Sequence, residues 1–211
     1  MKPASLTREL VTLADGRGGL AYEWQGEPVI VCDDARSIIK AITITRDDDL
    51  TAEEKSEQFL RLIFEDPNAA FLACDFSQAS FAALVDAVMK DVYGIEAGDT
   101  GPKIWDIEED ADLIRVSFRM AYGIDWDASN LTWSEFVSLV GLLPISTPLG
   151  RAKFYRDPEN RPTGTSEHDK EQQREFDRLH DLLALEQSSH TDIDAQSAAM
   201  ADLAQTLLNA R

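Results

Sequence analysis

The sequence predicts a mainly α-helical protein with a small β-hairpin near its amino terminus. Apolar residues recur every three or four positions through most of the 211 residues, which is the period of an amphipathic helix. Threonine or aspartate precedes glutamate by three positions at several points, the spacing of a helix capping box. Apolar residues make up 44% of the chain, so we expect a buried core.

Two short stretches at the start of the chain alternate as strands do. Leu20–Trp24 and Pro28–Cys32 predict a hairpin. Thr51 and Glu54 then have capping-box spacing ahead of a helix. The apolar residues of that helix share one face, and they are Phe59, Leu60, Ile63 and Phe64.

A second amphipathic helix follows, and Gly94 is its predicted end. Its apolar positions repeat at helical spacing and are Phe81, Leu84, Val85, Val88 and Val92. Residues 96–102 are rich in turn-forming residues and lack a continuous apolar pattern, so we place a boundary there. The hairpin and these helices form a predicted amino-terminal region, residues 1–100.

The next region, residues 103–187, predicts further helices. Asp106 with Glu109 marks the start of one helix, which Gly123 ends, and Thr132 with Glu135 marks the start of another. Pro144 stops the second pattern. We expect one buried cluster joining the two helices, with Tyr122 as a further core residue; its members are Ile114, Phe118, Trp133 and Phe136.

The remainder of the chain predicts a short helical turn at 150–155, a mobile loop at 156–165 and a helix over Glu167–Gln187. A last helix is predicted from Asp192, within a separate segment of residues 188–211. Its apolar stripe consists of Ile193, Met200, Leu203 and Leu207. Such a short stripe either packs onto its own domain or binds a partner protein, and the pattern leaves both open. These four residues are our candidates for partner binding, with packing onto the domain as the alternative.

The charge of the chain narrows the classes of partner. Twenty basic and 39 acidic residues give a net charge of −19, which repels phosphate backbones and anionic membranes. We therefore expect neither nucleic acid nor a membrane as a partner. The first residues lack the apolar run of a signal peptide, so we expect a cytoplasmic location, with Cys32 and Cys74 as reduced core thiols.

Catalytic and metal-binding patterns give no positive support for an enzyme. The acidic groups at 33–34, 47–49 and 108–112 lie near predicted helix starts, where negative charge is favourable. His168, His180 and His190 lack the spacing of a zinc motif. The glycine-rich residues 15–19 lack the lysine of a phosphate-binding loop and predict an ordinary loop. We therefore expect no catalytic residue, no metal and no cofactor.

A series of short motifs in the carboxyl-terminal half carries a resemblance to a known family. An Asp-rich helix start precedes Ser117-Phe118 and Tyr122-Gly-Ile-Asp125, followed by Leu131-Thr-Trp-Ser-Glu-Phe136, Gly141-Leu142, Thr147-Pro-Leu-Gly150 and Tyr155-Arg156. In this order the motifs resemble the bacteriophage gene-product-fifteen family over roughly residues 104–186. The amino-terminal half resembles that family in layout only.

The resemblance implies a tail assembly chaperone of a long-tailed phage, which binds the tape-measure protein during tail morphogenesis. Other tail proteins are further candidate partners, and the oligomeric state is left open. The alternative is a structural tail completion or connector component of the virion. The resemblance implies no catalytic residue.

Overall fold

The computed structural model describes residues 10–95 and 103–185, which form two compact units. Unit 1 contains residues 10–95 together with 130–137, and unit 2 contains 103–129 and 138–185. The predicted boundary at 96–102 and the segment 188–211 lie outside the described residues. Whether the three predicted regions are separate domains stays a prediction.

Unit 1 opens with a three-stranded antiparallel sheet of β1 (Leu10–Thr12), β2 (Gly18–Trp24) and β3 (Glu27–Cys32), in that order. Mainly α is confirmed, but the two-stranded hairpin was wrong in strand number, because β1 is too short to show alternation. Gln25 and Gly26, both with positive φ, join β2 to β3, as a two-residue hairpin turn requires.

The glycine-rich segment was also predicted wrongly in part, because its last two residues begin β2 instead of continuing the loop. The loop directs the Arg17 guanidinium toward Ser37 and Leu62, elsewhere in unit 1. Arg17 donates hydrogen bonds to the carbonyl oxygen of Leu62 at 3.3 Å and to Ser37 Oγ at 3.2 Å. It thereby satisfies one of the carbonyl groups that a helix end leaves without a helical partner.

Four helices complete the amino-terminal part of unit 1: α1 (Ala35–Ile44), α2 (Ala52–Ile63), α3 (Pro67–Leu72) and α4 (Gln78–Asp91). The capping box of α2 is present as predicted, since Thr51 and Glu54 exchange hydrogen bonds. Helices α1 and α3 were not predicted. Each begins at an aspartate, Asp34 or Asp66, whose carboxylate accepts a backbone N–H of the first turn.

A buried polar chain joins the sheet and helices of unit 1 to residues 130–137. The Tyr93 hydroxyl donates to the carbonyl oxygen of Cys32 at 2.7 Å and approaches that of Ile63 at 3.4 Å. Trp133 Nε1 donates to the carbonyl oxygen of Tyr93 at 2.9 Å, while the Trp133 backbone N–H donates to the carbonyl oxygen of Asp33 at 2.8 Å. Burial raises the pKa of the Tyr93 phenol well above its usual value, so the hydroxyl remains a donor at neutral pH.

Unit 2 is built on α5 (Ala111–Tyr122), α7 (Pro148–Arg156), α8 (Glu167–Leu183) and the second half of α6 (Trp133–Gly141). The helix predicted at Asp106 begins instead at Ala111. The Asp106 carboxylate accepts the backbone N–H groups of Glu108 and Glu109 and closes a turn ahead of the helix. Burial opposes its ionised form, but these bonds and Lys103 outweigh burial and lower its pKa to about 2.

Two other boundaries in unit 2 differ from the sequence prediction. The turn predicted at 150–155 is a full helix, α7, which Thr147 caps by accepting the N–H of Gly150. The predicted loop 156–165 contains a short 3-10 helix at Pro158–Asn160. Helix α8 ends at Leu183, four residues earlier than predicted, and buries Phe176 and Leu179.

A buried ion pair connects separate segments of unit 2. Arg156 and Asp110 form two hydrogen bonds of 2.5 and 3.0 Å, and both side chains are almost fully buried. The same guanidinium donates to the carbonyl oxygens of Leu183, at the end of α8, and Ile104. One arginine therefore connects α7, the end of α8 and the segment that precedes α5.

The connection between α6 and α7 is tightly specified. The Thr147 hydroxyl donates to the carbonyl oxygen of Pro144 at 2.7 Å, and Lys153 Nζ donates to that of Val140 at 2.6 Å. Gly150 lies so close that a Cβ atom there would be 2.1 Å from the Pro144 oxygen. Only glycine fits this approach without a backbone shift.

None of the described helices is long and apolar enough to cross a membrane.

Tyr93→Phe should lower the free energy of unfolding by about 1–3 kcal/mol, because the buried carbonyl groups lose their donor. Urea unfolding followed by circular dichroism measures this loss. Tyr22→Phe is the matched control, since the Tyr22 hydroxyl bonds to Asp91 at an exposed position and should cost about 0.5 kcal/mol or less. Equal losses in the two variants would contradict the role given to Tyr93.

Asp110→Ala should destabilise the protein by about 3–5 kcal/mol, because it leaves the Arg156 charge buried without its carboxylate. The same unfolding assay applies. The control is Asp177→Ala, which removes an exposed ion pair with Arg161 and should cause a much smaller loss. A loss at Asp110 no larger than at Asp177 would refute the assignment.

Gly150→Ala should destabilise the protein by about 1–3 kcal/mol or more, because the added methyl group collides with backbone. Gly141→Ala adds the same group where no atom lies within 4 Å. It should be neutral or stabilising by up to about 1 kcal/mol, since alanine favours helix. Thermal unfolding of both variants tests the difference in sign.

Candidate functional site

The sequence analysis considered cysteines, histidines and acidic groups as candidates for chemistry, and most of them lie in the described residues. Within 10–95 and 103–185, no three histidine, cysteine or acidic side chains are grouped to hold a metal ion. Both cysteines are buried and free. His168 is exposed, His180 stacks on the Phe176 ring, and His190 lies outside the described residues.

The predicted core residues are placed in both units. In unit 1, Trp133 and Phe136 are buried with ring centroids 5.6 Å apart. In unit 2, Ile114 and Phe118 are buried, whereas Tyr122 is partly exposed and donates its hydroxyl hydrogen bond to the carbonyl oxygen of Leu139. That the four buried residues form one cluster stays a prediction.

The residues predicted to bind a partner, Ile193, Met200, Leu203 and Leu207, lie outside the described residues. The structure instead directs attention to apolar side chains that the sequence analysis had not singled out for binding. Several large ones are more than half exposed, and they are Leu10, Leu72, Phe76, Met120, Leu142, Ile145 and Leu182. Two groups of these lie close together in the chain and are held by well-defined turns.

The first group is the α3–α4 turn, residues 72–77, in unit 1. The N–H of Phe76 bonds to the carbonyl oxygen of Phe71, and that of Asp75 bonds to Leu72. This pair of hydrogen bonds is the Schellman arrangement that ends many helices. The Phe71 and Phe76 rings meet edge to face with centroids 5.6 Å apart, which is the apolar contact that accompanies the motif.

The backbone of this turn is strained. The residue after such a helix end adopts a left-handed conformation and is usually glycine, but here Asp75 has φ 52° and Phe76 has φ 55°. A bulky residue at positive φ is unusual and unfavourable. In this conformation Phe76 is 53% exposed, and Leu72 is 58% exposed. The strained turn therefore does not bury its large apolar side chains.

The α3–α4 turn also lies in an acidic part of the chain. Residues 62–89 contain no lysine or arginine, while their acidic residues are Glu65, Asp66, Asp75 and Asp86, all exposed. Other exposed residues of α3 and α4 are small, including Ala69, Ala79 and Ala83. Two large apolar side chains thus project from a surface of small and negatively charged residues.

The second group is the α6–α7 tip, residues 142–147, in unit 2. Leu142 is 77% exposed and Ile145 is 52% exposed. No charged residue occurs between Glu135 and Arg151. The bonds of Thr147 and the close approach of Gly150 hold this tip in one conformation, so it can present the two side chains without first becoming ordered.

A third exposed apolar pair, Val116 and Met120, lies one turn apart on α5. Arginines flank it, and these are occupied by ion pairs: Arg119 with Asp125 at 2.5 Å, and Arg115 with Asp127 at 3.9 Å. The surroundings of this pair are therefore of mixed charge, unlike those of the α3–α4 turn.

These surfaces are suited to binding another protein. Large apolar side chains exposed on defined turns stabilise a complex when a partner removes them from water. The sequence could not identify these surfaces, because Phe76 and Leu142 are apolar and occur at the same spacing as residues of the core. The one available signal was the lack of charge around residues 142–147.

Comparison with known proteins identifies the family. A family model described as bacteriophage Gp15 protein matches residues 19–185. It confirms the predicted family and extends the resemblance, expected only at 104–186, through most of the amino-terminal half. Neither the curated proteins nor the solved structures contain a match.

The matched range includes both the α3–α4 turn and the α6–α7 tip, so both surfaces lie within the part of the chain that the family shares. The family is structural and is not known for enzymatic activity. Because the match takes in most of the described residues of both units, the chain belongs to the bacteriophage Gp15 protein family.

Proposed function

We propose that the protein is a phage tail assembly chaperone that binds the tape-measure protein during tail morphogenesis. Membership of a bacteriophage family supports a role in the phage particle or its assembly. The observation that carries the proposal is the presence of large exposed apolar side chains on ordered turns, at Leu72 and Phe76 and at Leu142 and Ile145.

The physical properties of such a client agree with these surfaces. A tape-measure protein is long and helical, and its apolar faces would aggregate before the tail tube encloses them. A chaperone needs apolar contacts to cover those faces and high charge to keep the complex dispersed. The chain offers both, since it exposes apolar side chains and carries a net charge of −19.

The second candidate function is a structural tail completion or connector component of the virion. The structural character of the family favours it, because the family suggests a protein related to the head–tail connector. In that role the same apolar surfaces would remain buried against neighbouring subunits in the mature particle. The two functions therefore differ in where the protein resides after assembly.

Purified virions and co-expression separate the two functions. For a chaperone, quantitative mass spectrometry should find the protein in infected-cell lysate and not in mature particles. The tape-measure protein should be insoluble when expressed alone and soluble when co-expressed with this chain. An unrelated acidic protein of similar size is the control for non-specific solubilisation.

A fixed copy number of the protein in mature virions would instead establish the structural component. A tape-measure protein that stays insoluble in the co-expression would also contradict the chaperone function. The partner-binding role of the segment that follows residue 187 stays a prediction from sequence.

A further inference from the structure

We propose that the α3–α4 turn is a docking site for an amphipathic helix whose apolar stripe is flanked by lysine or arginine. The inference deepens the proposed function, on which it rests for the identity of the natural partner, but its chemistry follows from the turn itself. Leu72 and Phe76 would supply the apolar contact, and the surrounding carboxylates would select for positive charge.

The first argument is the cost at which the turn exposes Phe76. Two successive non-glycine residues at positive φ, Asp75 and Phe76, each cost conformational free energy. Folding alone gains little in return, because Phe76 remains 53% exposed. A partner that covers the ring supplies the missing burial, and the edge-on contact with Phe71 already fixes the ring.

The second argument is charge complementarity. Asp75 is exposed between the two apolar side chains in the sequence, and no basic residue occurs from position 62 to position 89. Two ion pairs of unit 1, Arg17 with Asp15 and Arg61 with Glu57, lie outside that stretch. A partner with positive charge beside its apolar stripe is therefore attracted, whereas an acidic partner is repelled.

The third argument concerns the shape of the partner. Leu72 and Phe76 are four positions apart and are neighboured by exposed Ala69 and Ala79. Small side chains around two large ones allow a helix to approach closely, with its i, i+3 and i+4 positions around the projecting groups. Strand addition would instead need a free strand edge, and residues 67–91 consist of α3, the turn and α4.

Synthetic helical peptides test the site without knowledge of the natural partner. The probe is a labelled 18-residue peptide with a leucine stripe and lysines on its flanks. One control peptide replaces the lysines with glutamates, and a second keeps the lysines but replaces the leucines with alanines. Fluorescence anisotropy gives each dissociation constant at low and at high salt.

The leucine–lysine peptide should bind the full chain at least tenfold more tightly than either control peptide, and added salt should weaken it. The double variant Leu72→Ser with Phe76→Ser should lose on the order of tenfold in affinity. The matched double variant Val116→Ser with Met120→Ser, an exposed apolar pair of the same spacing on α5, should stay within about twofold of the wild type.

Equal binding of the alanine–lysine peptide would overturn the inference, because it would show charge attraction alone. So would unchanged affinity in the Leu72 and Phe76 double variant. If that variant fails to fold, amide chemical shifts of the wild-type protein replace it: shifts on peptide binding must centre on residues 68–80, and shifts centred elsewhere overturn the proposal.

The docking site and the proposed function can fail separately. If the leucine–lysine peptide binds the double variant as tightly as the wild type, while the wild type keeps the tape-measure protein soluble, the docking site is refuted and the chaperone function stands. If the wild type binds the leucine–lysine peptide but does not keep the tape-measure protein soluble, the docking site stands and the chaperone function fails.

Discussion

The hydroxyl of Tyr93 is the group on which the organisation of unit 1 depends most. This hydroxyl is buried and donates to the carbonyl oxygen of Cys32, at the end of β3. The backbone carbonyl oxygen of Tyr93 in turn accepts the indole N–H of Trp133. A buried polar group without a partner costs about 1–3 kcal/mol, so each member fixes the position of the next. This chain of donors explains why residues 130–137 belong to unit 1 although 34 positions separate residue 95 from residue 130 in the sequence.

In unit 2 a buried ion pair, and not a chain of neutral hydrogen bonds, connects segments that are distant in the sequence. Arg156 is buried, and its guanidinium reaches Asp110 and two carbonyl oxygens from separate segments. Replacing such a pair with apolar residues is often neutral or favourable, so its value lies in defining which segments meet. In both units buried polar contacts connect separate segments, whereas turns with defined hydrogen bonds leave large apolar side chains exposed at Phe76 and Leu142.

Local signals accounted for what could be predicted from the sequence. The capping box at Thr51, the stop at Gly123 and the helix over most of residues 167–187 depend on residues within a few positions of one another, and the structure contains them.

Strand β1 was missed because three residues define it only through pairing with β2. Helix α3 was missed because it is six residues long and its final turn uses Asp75 where glycine is expected. The exposed surfaces were missed because exposure is a property of packing, which apolar composition alone does not encode.

The acidity of the chain and its exposed apolar side chains are related, because the charge limits self-association through those side chains. An apolar side chain such as Phe76 would promote self-association if neighbouring copies could approach freely. A net charge of −19 opposes that approach between identical chains at the ionic strength of a cell, where charges interact over about 8 Å. The same field attracts a partner of opposite charge, so such a surface favours a basic partner over a second copy of the chain before any apolar contact forms. Exposed apolar groups on an acidic surface can therefore remain available for a basic helical partner without causing aggregation.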